Sequence, residues 1–192
     1  MPSSVRVSAG SAGASPPSLD APAPAPHGRA AVDGIGETAL DDSGTKPAGL
    51  TLRPAIPADA GTLAAIHRRA RESADIPNLH SRTSVRRFLL RTIRQSQVMI
   101  ACRDGAPAGY AVLHNGWLDQ LYIHPDHHRR GIGSALLAWA RRDTPGLRLY
   151  CFAHNARALA FYRSHGAVVL SEGDGSDNEE GLPDLLLGFP EA

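Results

Sequence analysis

From Leu50 onward the apolar positions change period several times, and each change marks an element. Leu50-Thr-Leu-Arg53 reads as a short strand. Pro57-Ala-Asp59 reads as a helix start, with an acid near the N-terminus. Leu63, Ile66 and Ala70 then share one helical face, with Arg68, Arg69 and Arg71 on the wet side. Asp75-Ile-Pro-Asn78 breaks the pattern. A second helix is predicted from about Ser84, buried along Val85, Phe88, Leu89, Thr92 and Ile93. Arg82, Arg86, Arg87, Arg91 and Arg94 lie on or beside it, which suits either a solvated face or a surface for an acidic partner.

The period then shortens. Val98–Cys102 and Pro107–His114 read as strands joined by a turn at Arg103-Asp104-Gly105, and Asn115-Gly116 is a second hairpin signal leading into Trp117–His124. These three strands form an antiparallel meander. A helix is predicted from about Gly133 to Arg142, a break at Thr144-Pro-Gly146, and a strand over Leu147–Phe152. Asn155–His165 reads as a helix closed by Gly166, the usual C′ residue. A strand Ala167–Leu170, an acidic loop 172–181 and a last strand Leu185–Phe189 complete the order.

One stretch organises the rest. Leu121-Tyr-Ile is strand-forming, Pro125 ends the ladder, and Gly131 and Gly133 permit tight or positive-φ backbone before a helix beginning Ser134-Ala-Leu-Leu. A glycine turn that opens a helix leaves backbone N–H groups unpaired and pointing one way. That is a site for a phosphate or pyrophosphate, with Arg129 and Arg130 adding charge beside it. The turn lacks the Gly-Lys-Ser/Thr of a nucleotide-hydrolase P-loop.

Composition narrows the classes. Residues 1–49 contain no aromatic residue, alternate Ala and Pro over 21–26, and carry a charge of −2. They read as a disordered tail, leaving one domain over 50–192. The chain's formal charge of +1 argues against bulk attraction to nucleic acid or membrane, and no apolar run approaches the ~20 residues of a membrane span. Cys102 and Cys151 sit in apolar runs and read as buried small hydrophobes, as in a reducing, cytoplasmic compartment. No metal-ligand spacing stands out, so no metal is expected.

Two motifs carry a resemblance. His128-Arg-Arg-Gly131-Ile-Gly133 is similar to the Gln/Arg-x-x-Gly-x-Gly/Ala pyrophosphate motif of the GNAT acetyltransferase superfamily. Asn155-Ala-Arg-Ala158-Leu-Ala-Phe161-Tyr162-Arg-Ser-His-Gly166 resembles that superfamily's second signature, in the same order along the chain. The resemblance implies an α/β (α+β) fold: a mixed, mostly antiparallel sheet splayed between strands 4 and 5 and flanked by about four helices. Acetyl-CoA would lie in the splay, its pantetheine paired with backbone at Leu121 and Ile123, on either side of Tyr122. Its pyrophosphate would sit on the amides of Arg129, Arg130, Gly131, Ile132, Gly133 and Ser134. Asn155 would reach the pantetheine arm, and Tyr162 would protonate the departing thiolate. The implied reaction is direct attack of a primary amine on the thioester, in a ternary complex.

Two positions depart from the pattern. His128 stands where Gln or Arg is usual; it could donate to phosphate more strongly when protonated. The general base is open. Relatives carry Glu where this chain has Trp117 or, on the fifth strand, Tyr150. The candidates are Asp119, His114, Tyr150, Glu172 or a water chain, and strand alternation favours Asp119. Five acids over 172–181 suit a cationic acceptor, either a small-molecule or a peptide amine, or else form a solvated loop. No nucleic-acid partner is expected, and the protein would be a monomer or homodimer. The alternative function is a catalytically silent acetyl-CoA-binding module.

Overall fold

The structure, a computed structural model, describes residues 49–190. The predicted tail, apart from Gly49, lies outside the described residues. The elements in chain order are β1 (Leu50–Pro54), α1 (Ala60–Glu72), α2 (Arg82–Gln95), β2 (Gln97–Arg103), β3 (Ala106–His114), β4 (Trp117–Ile123), α3 (Ile132–Arg142), β5 (Arg148–Phe152), α4 (Ala156–Ser164), β6 (Val168–Gly173) and β7 (Asp184–Gly188). Short 3₁₀ turns at Pro57–Asp59 and Pro125–His127 precede α1 and α3.

The seven strands form one sheet in the order β1-β2-β3-β4-β5-β7-β6. All neighbours are antiparallel except β4 and β5, which are parallel and meet at a single pair, Trp117 with Arg148. Beyond that pair the strands diverge, as the resemblance implies.

Alternation along the strands sorts the core into two layers. Val98, Ile100, Cys102, Tyr110 and Val112 face α1 and α2, where they meet Leu63, Ile66, Val85 and Leu89. Ala101, Ala108, Ala111 and Leu113 face the other way, against Ile132, Leu136 and Leu137 of α3, in a layer that also holds Leu159 of α4. Both cysteines are buried thiols, and burial pushes Cys151 up to about 12, so its thiol stays protonated and inert.

Strict alternation fails at one place in β4. Val112 pairs with Gln120 and Leu113 with Leu118, which leaves Asp119 as the extra residue of a β-bulge. Leu118 and Leu121 consequently share the α3 layer, although three residues apart in a strand. Strand β6 is longer than its sequence suggests. Glu172 and Gly173 pair with Leu185 and Asp184, so part of the expected acidic loop is strand.

Candidate active site

The splay between β4 and β5 opens into a cleft of about 390 Å³, within the usual range for ligand pockets. Where the strands touch, outside the cleft lining, Trp117 stacks on Tyr150 with ring centroids 5.6 Å apart and planes 8° apart. One wall is β4, through Leu121, Tyr122 and Ile123.

The mouth is the turn into α3. Gly131 has φ 75° and forms the N-cap of α3. This left-handed backbone suits glycine, since a Cβ there costs about 1–2 kcal/mol. Arg129 also takes a left-handed φ, 58°, without being glycine. The first intrahelical bond is donated by Ala135 to the Gly131 carbonyl, so the N–H groups of Ile132, Gly133 and Ser134 precede the helical ladder and face the cleft their residues line. Gly133 serves a second purpose. A Cβ there would stand 3.3 Å from the Phe161 ring, so the missing side chain lets α3 and α4 pack closely.

Helix α4 forms the opposite wall with Asn155, Arg157, Ala158, Phe161 and Tyr162. Asn155 is the N-cap, its Oδ1 accepting from the Ala158 amide at 3.2 Å. That leaves its NH₂ group to face the cleft. Tyr162 is 7% exposed and both packs in the core and lines the cleft. Burial pushes its phenol well above the ordinary range, with the Cys151 thiol and Tyr122 acting in the same direction. Tyr122 belongs to the other core layer, and the two phenols act on each other because no strand fills the gap between β4 and β5.

His128 differs from its sequence expectation. Its Nε2–H donates to the Ile123 carbonyl at 3.3 Å, so Nδ1 is the acceptor, and it takes a hydrogen bond from Nη1 of Arg157 at 3.2 Å. Burial, followed by the Arg157 charge, pushes its pKa down. A neutral ring with both nitrogens engaged is a poor phosphate donor. Arg157 is the residue the sequence reading missed. From α4 it spans to His128 on one side and to the Ser73 hydroxyl, just past α1, on the other at 3.3 Å.

The base candidates separate. Asp119 is largely buried, and burial alone pushes its carboxyl up to about 7, in the range where a base operates at neutral pH. It does not line the cleft cavity. His114 is tied to Ser96 and Asn115, Tyr150 is stacked on Trp117, and Glu172 lies exposed on the edge strand.

The acidic segment is partly neutralised. Glu180 accepts from Arg71 at 2.6 Å with both side chains largely buried, and Glu179 meets His80 Nε2 at 2.8 Å. These pairs tie the β6–β7 connection to the end of α1 and to the α1–α2 connection. Asp174 and Asp177 stay exposed there.

Among the described residues no group of three or more His, Cys, Asp or Glu is placed to hold a metal ion, and no helix is long and apolar enough to cross a membrane.

Comparison with known proteins agrees with this geometry. A family model described as an acetyltransferase (GNAT) domain matches residues 94–166. Peptidyl-lysine N-acetyltransferase YjaB of Salmonella typhimurium is 32% identical over 84 residues, covering 44% of this chain and 58% of that protein. Peptidyl-lysine N-acetyltransferase YiaC of Escherichia coli is 28% identical over 88 residues, covering 45% of this chain and 59% of that protein. The match thus spans a little over half the length of these curated relatives. The solution structure of apo YjaB from Escherichia coli superposes with a TM-score of 0.63 at 23% identity, over 74% of this chain and 99% of that one. The β4–β5 splay, the glycine-opened helix and the Asn-to-Tyr helix facing it all fall within residues 94–166, the segment that is similar to the GNAT acetyltransferase domain.

Proposed function

We propose that this protein transfers the acetyl group of acetyl-CoA to a primary amine by direct attack in a ternary complex, and that the amine is a lysine side chain of a peptide or protein. The carrying observation is that one cleft brings together the free α3 amides, the exposed flank of β4 and the buried Tyr162 hydroxyl. The acceptor class rests on the relatives, which are named peptidyl-lysine N-acetyltransferases.

The α3 amides and Arg157 hold the diphosphate, since unpaired N–H groups at a helix N-terminus and a guanidinium both favour an anion. The backbone of Leu121 and Ile123 pairs with the pantetheine amides, and the Asn155 NH₂ group donates to the same arm. These contacts hold the thioester within the cleft beside Tyr162, and positioning of this kind supplies much of the rate. Tyr162 hydrogen-bonds the sulfur as the C–S bond breaks. A free thiol has a pKa of ~8.5 and a phenol ~10, and burial raises Tyr162 further. Its chief contribution is therefore a hydrogen bond to the developing thiolate, with proton transfer following as the thiolate forms. Asp119, poised near neutrality, takes the proton of the attacking ammonium through water, because it stands outside the cavity wall.

The test is thiol release from acetyl-CoA with a panel of lysine peptides, polyamines and aminoglycosides. Saturable turnover with peptides above the other amines supports the reading. Equal or exclusive turnover of small amines overturns the acceptor class. A second reading is a silent acetyl-CoA-binding module, favoured by the Trp117–Tyr150 stack, which puts two aromatic rings where the resemblance would lead one to look for a glutamate base. Tight acetyl-CoA binding without thiol release across the panel would select it.

A further inference from the structure

Helix α2 is a basic surface that the proposed chemistry does not use. It carries Arg82, Arg86, Arg87, Arg91 and Arg94 and no acid, and all five arginines are exposed. On α1 the exposed Arg68 and Arg69 are offset by Glu72. Arg82, Arg86, Arg87 and Arg94 take part in no ion pair among the described residues. Like charges one turn apart, such as Arg82 and Arg86, weaken a helix. A complementary surface would relieve that cost. Leu90 lies within this face, partly buried against the core, with Arg86 and Arg87 a turn before it and Arg94 a turn after.

The same chain contains the complement. Asp33-Gly-Ile-Gly-Glu37-Thr-Ala-Leu40-Asp41-Asp42 holds four acids and no cation, and sets Leu40 among Glu37, Asp41 and Asp42. The described chain begins at Gly49, whose carbonyl accepts from the Asp104 amide at 2.9 Å on the β1–β2 side of the sheet. Helix α2 covers that side, with Val85 and Leu89 packed in one layer with Val98, Ile100 and Cys102 of β2. The six residues 43–48 can span about 20 Å at ~3.3 Å each. A 14-residue helix such as α2 is about 21 Å long at ~1.5 Å per residue. The connecting segment is thus about as long as α2 itself, and it leaves the sheet on the edge that α2 packs beside.

We propose that residues 33–42 dock in cis on the arginine face of α2, with Leu40 against Leu90 and the acids paired to Arg86, Arg87 and Arg94. Each exposed pair is weak and salt-screened. Tethering gives the segment a high effective concentration, which makes several weak pairs sufficient.

The test is hydrogen exchange on the full-length chain at low ionic strength. The amides of 33–42 should exchange at least threefold more slowly in the wild type than in Arg86→Glu/Arg87→Glu/Arg94→Glu, and 1 M salt should remove the difference. Adding Glu37→Arg/Asp41→Arg/Asp42→Arg to the glutamate variant should restore protection. If the helix variant loses its fold, Glu37→Gln/Asp41→Asn/Asp42→Asn, which leaves α2 intact, should by itself remove the protection. Equal exchange in wild type and charge variants overturns the proposal. So does failure of the charge swap to restore protection, and so does protection that grows with protein concentration, which would assign the face to a second copy.

Discussion

The guanidinium of Arg157 reaches from α4 to Nδ1 of His128 at 3.2 Å, joining α4 to the turn that leads into α3. This bond requires a neutral imidazole. The His128 pKa lies below its ordinary value, so the bond is intact at neutral pH and is lost as pH falls through the depressed value. Protonated His128 would repel Arg157 instead of orienting it. Acetyl-CoA affinity should therefore weaken on acidification, opposite to the expectation that a charged His128 binds phosphate directly. Arg157→Ala should raise the dissociation constant about tenfold, ~1.4 kcal/mol for one charge-assisted contact at an exposed site, with kcat little changed. Calorimetry from pH 5 to 8 on both proteins checks this, and the variant should lose most of the pH dependence.

Asp119 predicts the shape of the rate profile. With its carboxyl raised to about 7 by burial, the basic form accumulates as pH rises through neutrality, and kcat/KM should rise with it. Asp119→Asn should abolish that limb and lower the rate by about 100- to 10,000-fold. Stability has the opposite sign. The folded state holds a proton that the unfolded chain releases near pH 4, so this group's contribution declines from about pH 4 to 7. The Asn variant should show no such decline in denaturant titrations.

A buried polar chain predicts acid sensitivity. Tyr110 donates to Gln120 Oε1 at 2.8 Å and so accepts from the Nδ1–H of His67 at 3.2 Å. Burial, followed by the Arg71 charge, pushes His67 down to about 3. The folded protein then binds fewer protons than the unfolded one below the ordinary histidine pKa. Stability present above pH ~6.5 is lost as pH falls toward 3, by a few kcal/mol at about 1.36 kcal/mol per pH unit. Melting temperatures from pH 7 to 4 should fall steeply in the wild type and less so in His67→Gln.

Tyr162→Phe should keep the fold, since the ring packs with Leu159 and Cys151 in one layer, and should lower kcat by 100- to 10,000-fold with little change in acetyl-CoA binding. Turnover unaffected by the change would remove Tyr162 from the chemistry.

The sequence made most of the architecture readable, because period changes and turn residues such as Asn115-Gly116 are local signals. The turn into α3 was readable for the same reason: Gly131 declares its left-handed backbone. What stayed hidden depends on partners distant in sequence. The Asp119 bulge exists only as a register against β3. The ends of β6 are polar, and only their pairing with β7 makes them strand. Arg157 looks like an ordinary exposed helix residue until α4 is laid beside the His128 turn. Glu179 and Glu180 read as free acids until α1 and the segment after it supply Arg71 and His80.

The central claim is that the turn at Gly131 binds the diphosphate of acetyl-CoA. Titration calorimetry of acetyl-CoA into wild type and Gly131→Val, with circular dichroism to confirm the fold, tests it most directly. The wild type should bind saturably, and the variant, with a Cβ and branched side chain at φ 75° on the α3 N-cap, should remain folded and lose binding at least 100-fold. A folded Gly131→Val that binds acetyl-CoA as the wild type does would contradict the account.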